Sequence, residues 1–203
     1  MATPHVEAKI PPLESGDVLS REEFYRRWDL HPEIKKAERI NGRVFLEMTV
    51  RRGHARPHAI LAAWLGLFAS GREHLECLLE TTVRLADDDL QPDVVLRFLE
   101  GSSSVGEDDC VEGPPELVVE VSASSVAHDL NQKKEAYRRN GVAEYFVWQV
   151  FENRIDWWQL IGGEYVAIDA NADGVIESRQ FPGLRLKREA MLAGDMAGVL
   201  AAL

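Results

Sequence analysis

Apolar positions along the chain change their period several times, and the changes divide it into elements. The stretch "SREEFYRRWDL" places Ser20 three residues before Glu23, the spacing of a capping box, and predicts a helix start. Alternation in "AERINGRVFLEM" predicts a hairpin, with Asn41-Gly42 supplying the positive φ angles of its turn. After Pro57, the residues Ile60, Leu61, Trp64, Leu65 and Phe68 recur at helical spacing, predicting a helix that ends near Gly71. "HLECLLETTVRLADDDLQPDVVLRFL" reads as strands broken by an acidic turn, Asp87-Asp88-Asp89, and "EGSSSVGEDDCVEGPP" as a polar loop. Strands at 116–121 and 143–150 enclose "HDLNQKKEAYRRNG", a helix closed by Gly141. "RIDWWQLIGGEYVAI" predicts a second hairpin with a Gly-Gly turn, and "REAMLAGDMAGVLAAL" a final helix. Residues 1–19, with Pro4, Pro11, Pro12 and Gly16, read as an extended arm, leaving 20–203 as one domain.

The helical crossover between two strands predicts an α/β (α+β) fold, a central mixed sheet flanked by helices and carrying extra β-hairpins. Composition adds bounds. With 203 residues, 45% of them hydrophobic and 28% charged, the chain suits an ordinary globular protein with a substantial core. Its longest apolar stretch, Ala59 to Ala69, is far short of a membrane span, and the N-terminal residues have no hydrophobic signal core. Cys77 and Cys110 lack motif spacing, which suits a reducing cytoplasm and argues against structural zinc. The formal net charge of −11 counts against a general affinity for polyanions, although it permits a locally basic groove.

Against this background one residue stands out. In "PPELVVEVSASSVAHDLNQKKEAY", Glu120 interrupts the buried-type run Leu117-Val118-Val119 and Val121, where an ionised carboxylate is expensive to desolvate. Asp93 is placed in a similar way, directly before Val94-Val95-Leu96 in "QPDVVL". If the two strands are neighbours, both carboxylates reach one edge of the sheet, an arrangement that suits a hard cation such as magnesium. Asp129, Lys133 and Tyr137 follow at i, i+4 and i+8 on one drifting face of the next helix. A lysine packed back towards two acids and a metal stabilises charge developing on a phosphoryl group, or orients the attacking water. Taken singly, Asp93 is a turn residue, Glu120 half of a core ion pair and Lys133 half of a surface pair with Asp129; the combination favours a metal site.

The blocks "QPDVVL", "PPELVVEVSASSVAHDLNQKKEAYRRNGVAEYFVWQV" and "FPGLRLKREAML" together resemble the Uma-two family of restriction-endonuclease-like proteins, over about residues 37–192. That resemblance implies the fold of the PD-(D/E)xK nuclease superfamily, a magnesium or manganese cofactor and DNA as substrate. It places Asp93 at the "PD" aspartate and Glu120 at the second metal-binding acid. Lys133 takes the place of a lysine that the family carries on the following helix, and Glu38 and His54 sit where similar members have a Glu and a His. Two departures bear on chemistry: Ser122 stands where the superfamily carries its lysine, and Ala123 where similar members often have Asp.

"RRGHARPH" concentrates Arg51, Arg52, His54, Arg56 and His58 in an acidic chain, and reads either as a phosphate-contacting loop or as a solvated one. His54, Arg52 and Arg56 are the substrate-binding candidates. His128 beside Asp129, with Ser122, Ser124 or Ser125 near, suggests a hydrolase triad, but the residues are crowded and no Gly-x-Ser-x-Gly elbow is present. Trp148, Trp157 and Trp158 are either base-stacking groups or core. The leading expectation is a magnesium-dependent DNA endonuclease with Asp93, Glu120, Lys133 and Glu38 in its active site. The rival is a nuclease-like fold kept as a binding or assembly module, without turnover. Under either, a homodimer is expected, with the hairpin around Trp157 and Trp158 as the contact.

Overall fold

The computed structural model describes residues 10–46 and 50–203. Helix α1 (Arg21–Asp29) is capped as its sequence predicts, the Ser20 hydroxyl accepting the Glu23 N–H at 3.2 Å. The Glu23 carboxylate does not return to the cap; it pairs with Arg26 at 2.6 Å and Arg27 at 2.7 Å. Strands β1 (Ala37–Ile40) and β2 (Arg43–Leu46) form the hairpin through Asn41 (φ 51°) and Gly42 (φ 76°). Ahead of α1, residues 13–19 run beside β2. Gly16 N–H donates to Val44 O, Val44 N–H to Asp17 O and Leu19 N–H to Gly42 O, each at 2.8 Å, and Leu13 is buried. The later part of the predicted arm is thus held against the hairpin, while residues 1–9, and 47–49 after β2, lie outside the described residues.

Helix α2 (Arg52–Ala69) begins five residues before Pro57, so "RRGHARPH" supplies a helix start instead of the loop expected from the proline. Strands β3 (Leu75–Leu79), β4 (Val83–Arg84), β5 (Asp89–Leu90) and β6 (Val94–Phe98) follow. The stretch read as a polar loop contains two further short strands, β7 (Ser104–Val105) and β8 (Val111–Glu112). After β9 (Leu117–Ser122) the crossover helix enters through a π-helical stretch, His128–Lys133, and continues as α3 (Lys134–Arg139) to Gly141, at φ 85°. Then come β10 (Glu144–Gln149), β11 (Arg154–Ile161), β12 (Glu164–Ala167), β13 (Val175–Glu177) and β14 (Arg185–Lys187). The single final helix expected is two, α4 (Arg188–Ala193) and α5 (Met196–Leu200). Gly194 turns the chain at φ 70°, and Asp195 caps α5 by accepting the Gly198 N–H at 3.0 Å.

The strands make two six-stranded mixed sheets and a small hairpin, β13–β14. The central sheet, in the order β12-β11-β10-β9-β6-β3, holds the parallel pair β9–β10 created by the crossover; β6 lies antiparallel to β9. The second sheet, β2-β1-β5-β4-β8-β7, is assembled from the first hairpin and the short strands.

Alternation along the central sheet separates two cores. Leu117, Val119 and Val121 of β9 pack with Val94 and Leu96 against α2, α4 and α5. Val118 and Val95 face the other way, towards Ala136 and Tyr137 of α3 and towards Ile40, Val83 and Leu90 of the second sheet. By the same period, Glu120 and Asp93 project into this second layer, between the sheets.

The acidic turn breaks the chain between β4 and β5, as expected, with Asp89 opening β5. Asp88 and Asp89 are buried, because arginines from distant segments converge on them. Asp89 accepts Arg21 Nε at 2.9 Å and Arg39 Nε at 2.8 Å, while Asp88 accepts the Asn41 N–H at 2.9 Å and Asn140 Nδ2 at 2.7 Å. The turn therefore ties α1, the first hairpin and the end of α3 together. Among the described residues no helix is long and apolar enough to cross a membrane.

Candidate active site

The register Val94↔Val119 between antiparallel β6 and β9 places Asp93 opposite Glu120, as expected of neighbouring strands. Asp93 Oδ2 accepts the Val121 N–H at 2.6 Å, which fixes its carboxylate against β9. Glu38, on β1, approaches from the second sheet and accepts the Gln91 N–H at 2.9 Å. Lys133 closes the group from the crossover helix. Its Nζ lies 2.8 Å from Glu38 Oε1 and 2.6 Å from Glu120 Oε1, and all three side chains are buried. The Tyr137 hydroxyl donates to the same Glu120 oxygen at 2.9 Å.

Of the adjacent Lys133 and Lys134, packing brings Lys133 to the acids. Lys134 points away from the acids, its Nζ 3.6 Å from the centroid of the Trp158 ring. Ser122 lies two residues after Glu120, hence on the same face of β9. Its hydroxyl donates to Asp129 Oδ2 at 2.6 Å, and Ser125 donates to that oxygen at 2.5 Å. Lys133 thus brings its ammonium, from the helix above, to the face on which a lysine at 122 would have projected. The π-helical stretch keeps Asp129 and Lys133 both directed at the sheet, Asp129 beside Ser122 and Lys133 beside Glu120.

Charge is unevenly balanced here. Burial alone would depress the Lys133 ammonium, but the Glu120 and Glu38 carboxylates hold it well above the ordinary lysine range. Burial would raise Glu38, yet the charge of Lys133 and a contact with His128 bring it below the usual carboxylate range. Glu120 goes the other way. Burial pushes it well up, and Asp93, Asp129 and Glu38 add to the rise against the opposing pull of Lys133. Asp93, which burial would also raise, is drawn down by its His54 hydrogen bond and by the charge of Lys36. More acids than cations share the space, and the deficit of positive charge falls on Glu120.

These acids line a cavity of about 860 Å³, whose floor carries the buried Glu38, Asp93, Glu120 and Asp129. Its rim carries the exposed Arg51, Arg52, Val50 and Phe151. Lys133 is not a lining residue; it stands behind Glu38 and Glu120 and holds both. His54 lines the cavity, its Nε2 3.2 Å from Asp93 Oδ2. Arg52 lines it too, but Arg56 does not, and its guanidinium lies against Gly194 between α4 and α5.

The triad suggested by His128 does not form. Ser122 and Ser125 bond Asp129, while the His128 ring contacts Gln132 Oε1 at 2.5 Å, Glu38 Oε2 at 3.7 Å and the ring of Phe45. Trp148 and Trp157 are interior, the latter donating to Glu144 at 2.9 Å, and none of the three tryptophans lines the cavity. A partner contact at the β11–β12 hairpin would fall to Trp158, Ile161 and Val166 instead of Trp157.

Three residues gain a role here that the sequence did not assign them. The buried Tyr137 bonds Glu120. Lys36 Nζ stands 3.7 Å from Asp93 Oδ1. His58, one helical turn after His54, has its Nε2 3.0 Å from the Asp93 carbonyl, and the ligand atoms of His54, His58 and Asp93 lie within 4.8 Å of one another. The i, i+4 spacing of the two histidines was a usable signal once a helix was assigned there.

The layered sheet, the crossover and the acids at one edge define a nuclease-like fold. A solved structure from Anabaena variabilis ATCC 29413, described as a putative nuclease belonging to DUF820, is similar, with a TM-score of 0.62 at 13% identity over 77% of this chain and 89% of that one. The Uma2 family, described as putative restriction endonuclease, matches residues 21–189 of the 203, and the chain belongs to that family. No curated protein matches it.

Proposed function

We propose that the chain is a divalent-metal-dependent phosphodiesterase acting on nucleic acid, DNA in the first place, with Asp93 and Glu120 as metal ligands. The observation that carries this reading is the acidic floor itself, four buried carboxylates facing one cavity with Lys133 as the cation built between two of them. Membership of the Uma2 family supports the substrate class. The residues fit a metal. Asp93 Oδ1 is buried without a hydrogen bond among the described residues, its cationic neighbours being His54 Nε2 at 3.2 Å and Lys36 Nζ at 3.7 Å, and the carboxylate oxygens suit Mg²⁺. The imidazoles of His54 and His58 make Mn²⁺ equally acceptable. A bound divalent ion would neutralise the scissile phosphate and acidify water.

Within that reading each side chain has a task. Lys133 is a positioning residue that fixes the directions of Glu38 and Glu120. Tyr137 holds the Glu120 oxygen already bonded to Lys133. His54 and the Val121 N–H set the Asp93 carboxylate. Glu38, held by Lys133 through one oxygen and with His128 3.7 Å from the other, keeps a charged carboxylate fixed on the cavity floor. Arg52 at the rim meets the phosphate.

The test is cleavage of plasmid and of oligonucleotides in Mg²⁺ or Mn²⁺, against the same reaction in chelator. Metal-dependent cleavage by wild-type protein is expected, and activity that survives chelation would contradict the reading. One observation favours a module without turnover: Lys133 is already paired with both Glu38 and Glu120 and does not itself line the cavity. That alternative predicts no cleavage under any metal.

A further inference from the structure

The rim of the cavity holds a side chain that the proposed chemistry does not use. Phe151, in the turn between β10 and β11, is 73% exposed, although it is among the largest apolar side chains of the protein. It lines the cavity, and its ring lies against the first turn of α2: a Cβ built on Gly53 would sit 3.7 Å from both Cε1 and Cζ. The two residues before Gly53, Arg51 and Arg52, line the same cavity and are both exposed. The α2 first turn has no acidic residue and no side-chain cap. An aromatic face, two guanidiniums and a helix start free of negative charge therefore meet at one edge, with the acidic floor beneath.

We infer that Phe151 is the stacking platform of a subsite for an unpaired nucleotide, its phosphate met by Arg51 and Arg52. The inference rests on the nuclease reading for the presence of nucleic acid and adds to it the strand state of the substrate. Charge and size favour the unpaired state. A protein that grips a duplex neutralises many phosphates along it, whereas this chain carries a net charge of −11 and presents two arginines at this rim. The cavity, at about 860 Å³, is of the size that encloses small ligands, not of a channel for a double helix. Sequence-tolerant binding of single strands uses such aromatic platforms beside basic groups, because every base has a π-face. A base in a duplex is already stacked and cannot offer that face. The tryptophans suggested for this role are interior or remote from the cavity, which leaves Phe151 as the exposed aromatic among its lining residues.

A short oligodeoxynucleotide carrying 2-aminopurine, single-stranded or fully paired, is titrated in chelator, where no cleavage interferes. The single strand is expected to bind more tightly than the duplex, with fluorescence quenched on stacking. Phe151→Ala should weaken single-strand binding about 10-fold and remove the quench, the loss of one base–aromatic stack. Phe151→Trp should keep both effects, and Phe151→Leu, apolar but without a π-face, should lose them. Equal binding of both forms, or a Phe151→Ala protein that binds and quenches as wild type, overturns the subsite. The parallel cleavage assay separates the two readings. Phe151-dependent quenching in a chain that cleaves nothing supports the subsite and removes the nuclease, whereas cleavage of paired DNA indifferent to Phe151 does the reverse.

Discussion

Lys133→Ala is expected to lower stability by about 3–5 kcal/mol, because it leaves Glu38 and Glu120 buried without their shared cation. At this chain length that corresponds to a fall in melting temperature of roughly 6–20 °C. Removing the neighbouring Lys134, whose ammonium sits over Trp158, should cost only about 0.5–1 kcal/mol. The contrast between adjacent lysines is a direct reading of the packing. The pH dependence has a definite sign. In the wild type, Glu38 is held below the usual carboxylate range, so its contribution is complete above that range and is lost as pH falls. Lys133, held above its usual range, keeps its contribution until pH rises through that raised value. Without Lys133 the two acids are driven towards their neutral forms, which acid favours. The gap between wild type and Lys133→Ala should therefore narrow on acidification, measured by thermal unfolding at a series of pH values. A Lys133→Ala protein as stable as wild type at neutral pH would show that the buried pair is not formed.

Glu120→Gln is expected to act in the opposite sense, sparing the fold and removing the function. The amide keeps the length of the side chain and an oxygen for Tyr137 and Lys133, and Lys133 retains the carboxylate of Glu38. Burial and its acidic neighbours already press Glu120 towards the uncharged form, so a neutral substitute costs the folded chain little. A metal ion gains most from this carboxylate, since it supplies the positive charge that the cluster lacks. Titration calorimetry should show Mg²⁺ or Mn²⁺ affinity reduced about 100-fold or more, with cleavage lost in step; each factor of ten corresponds to about 1.4 kcal/mol of lost stabilisation. Unchanged metal affinity in a folded Glu120→Gln protein would remove Glu120 from the ligand set.

Much of this arrangement was legible in the order of residues, where local signals and global fold agree. Asn41-Gly42, Ser20 with Glu23, the crossover closed by Gly141 and the Gly162-Gly163 turn each carry their own backbone chemistry, and each is where the sequence places it. The meeting of Asp93 and Glu120 followed from two apolar strands being neighbours. The second sheet was not legible, because strands of two residues such as β4, β5, β7 and β8 are too short to show a period. The burial of Asp88 and Asp89 depends on Arg21, Arg39 and Arg139, which come from segments far away in the chain. Pro57 misled because proline usually marks a boundary, whereas here it lies inside α2 and leaves His54 and His58 one turn apart. Phe151 was invisible as a rim residue for a similar reason: a phenylalanine after a strand reads as core until the turn that exposes it is seen.

In the proposed chemistry Asp93 and Glu120 share one divalent ion. Anomalous diffraction from a manganese-soaked crystal tests it most directly. The expected result is one manganese peak at the cavity floor bonded to carboxylate oxygens of both residues, with Lys133 still held by Glu38. A peak bound by His54, His58 and Asp93 without Glu120, or no peak at all, would contradict it.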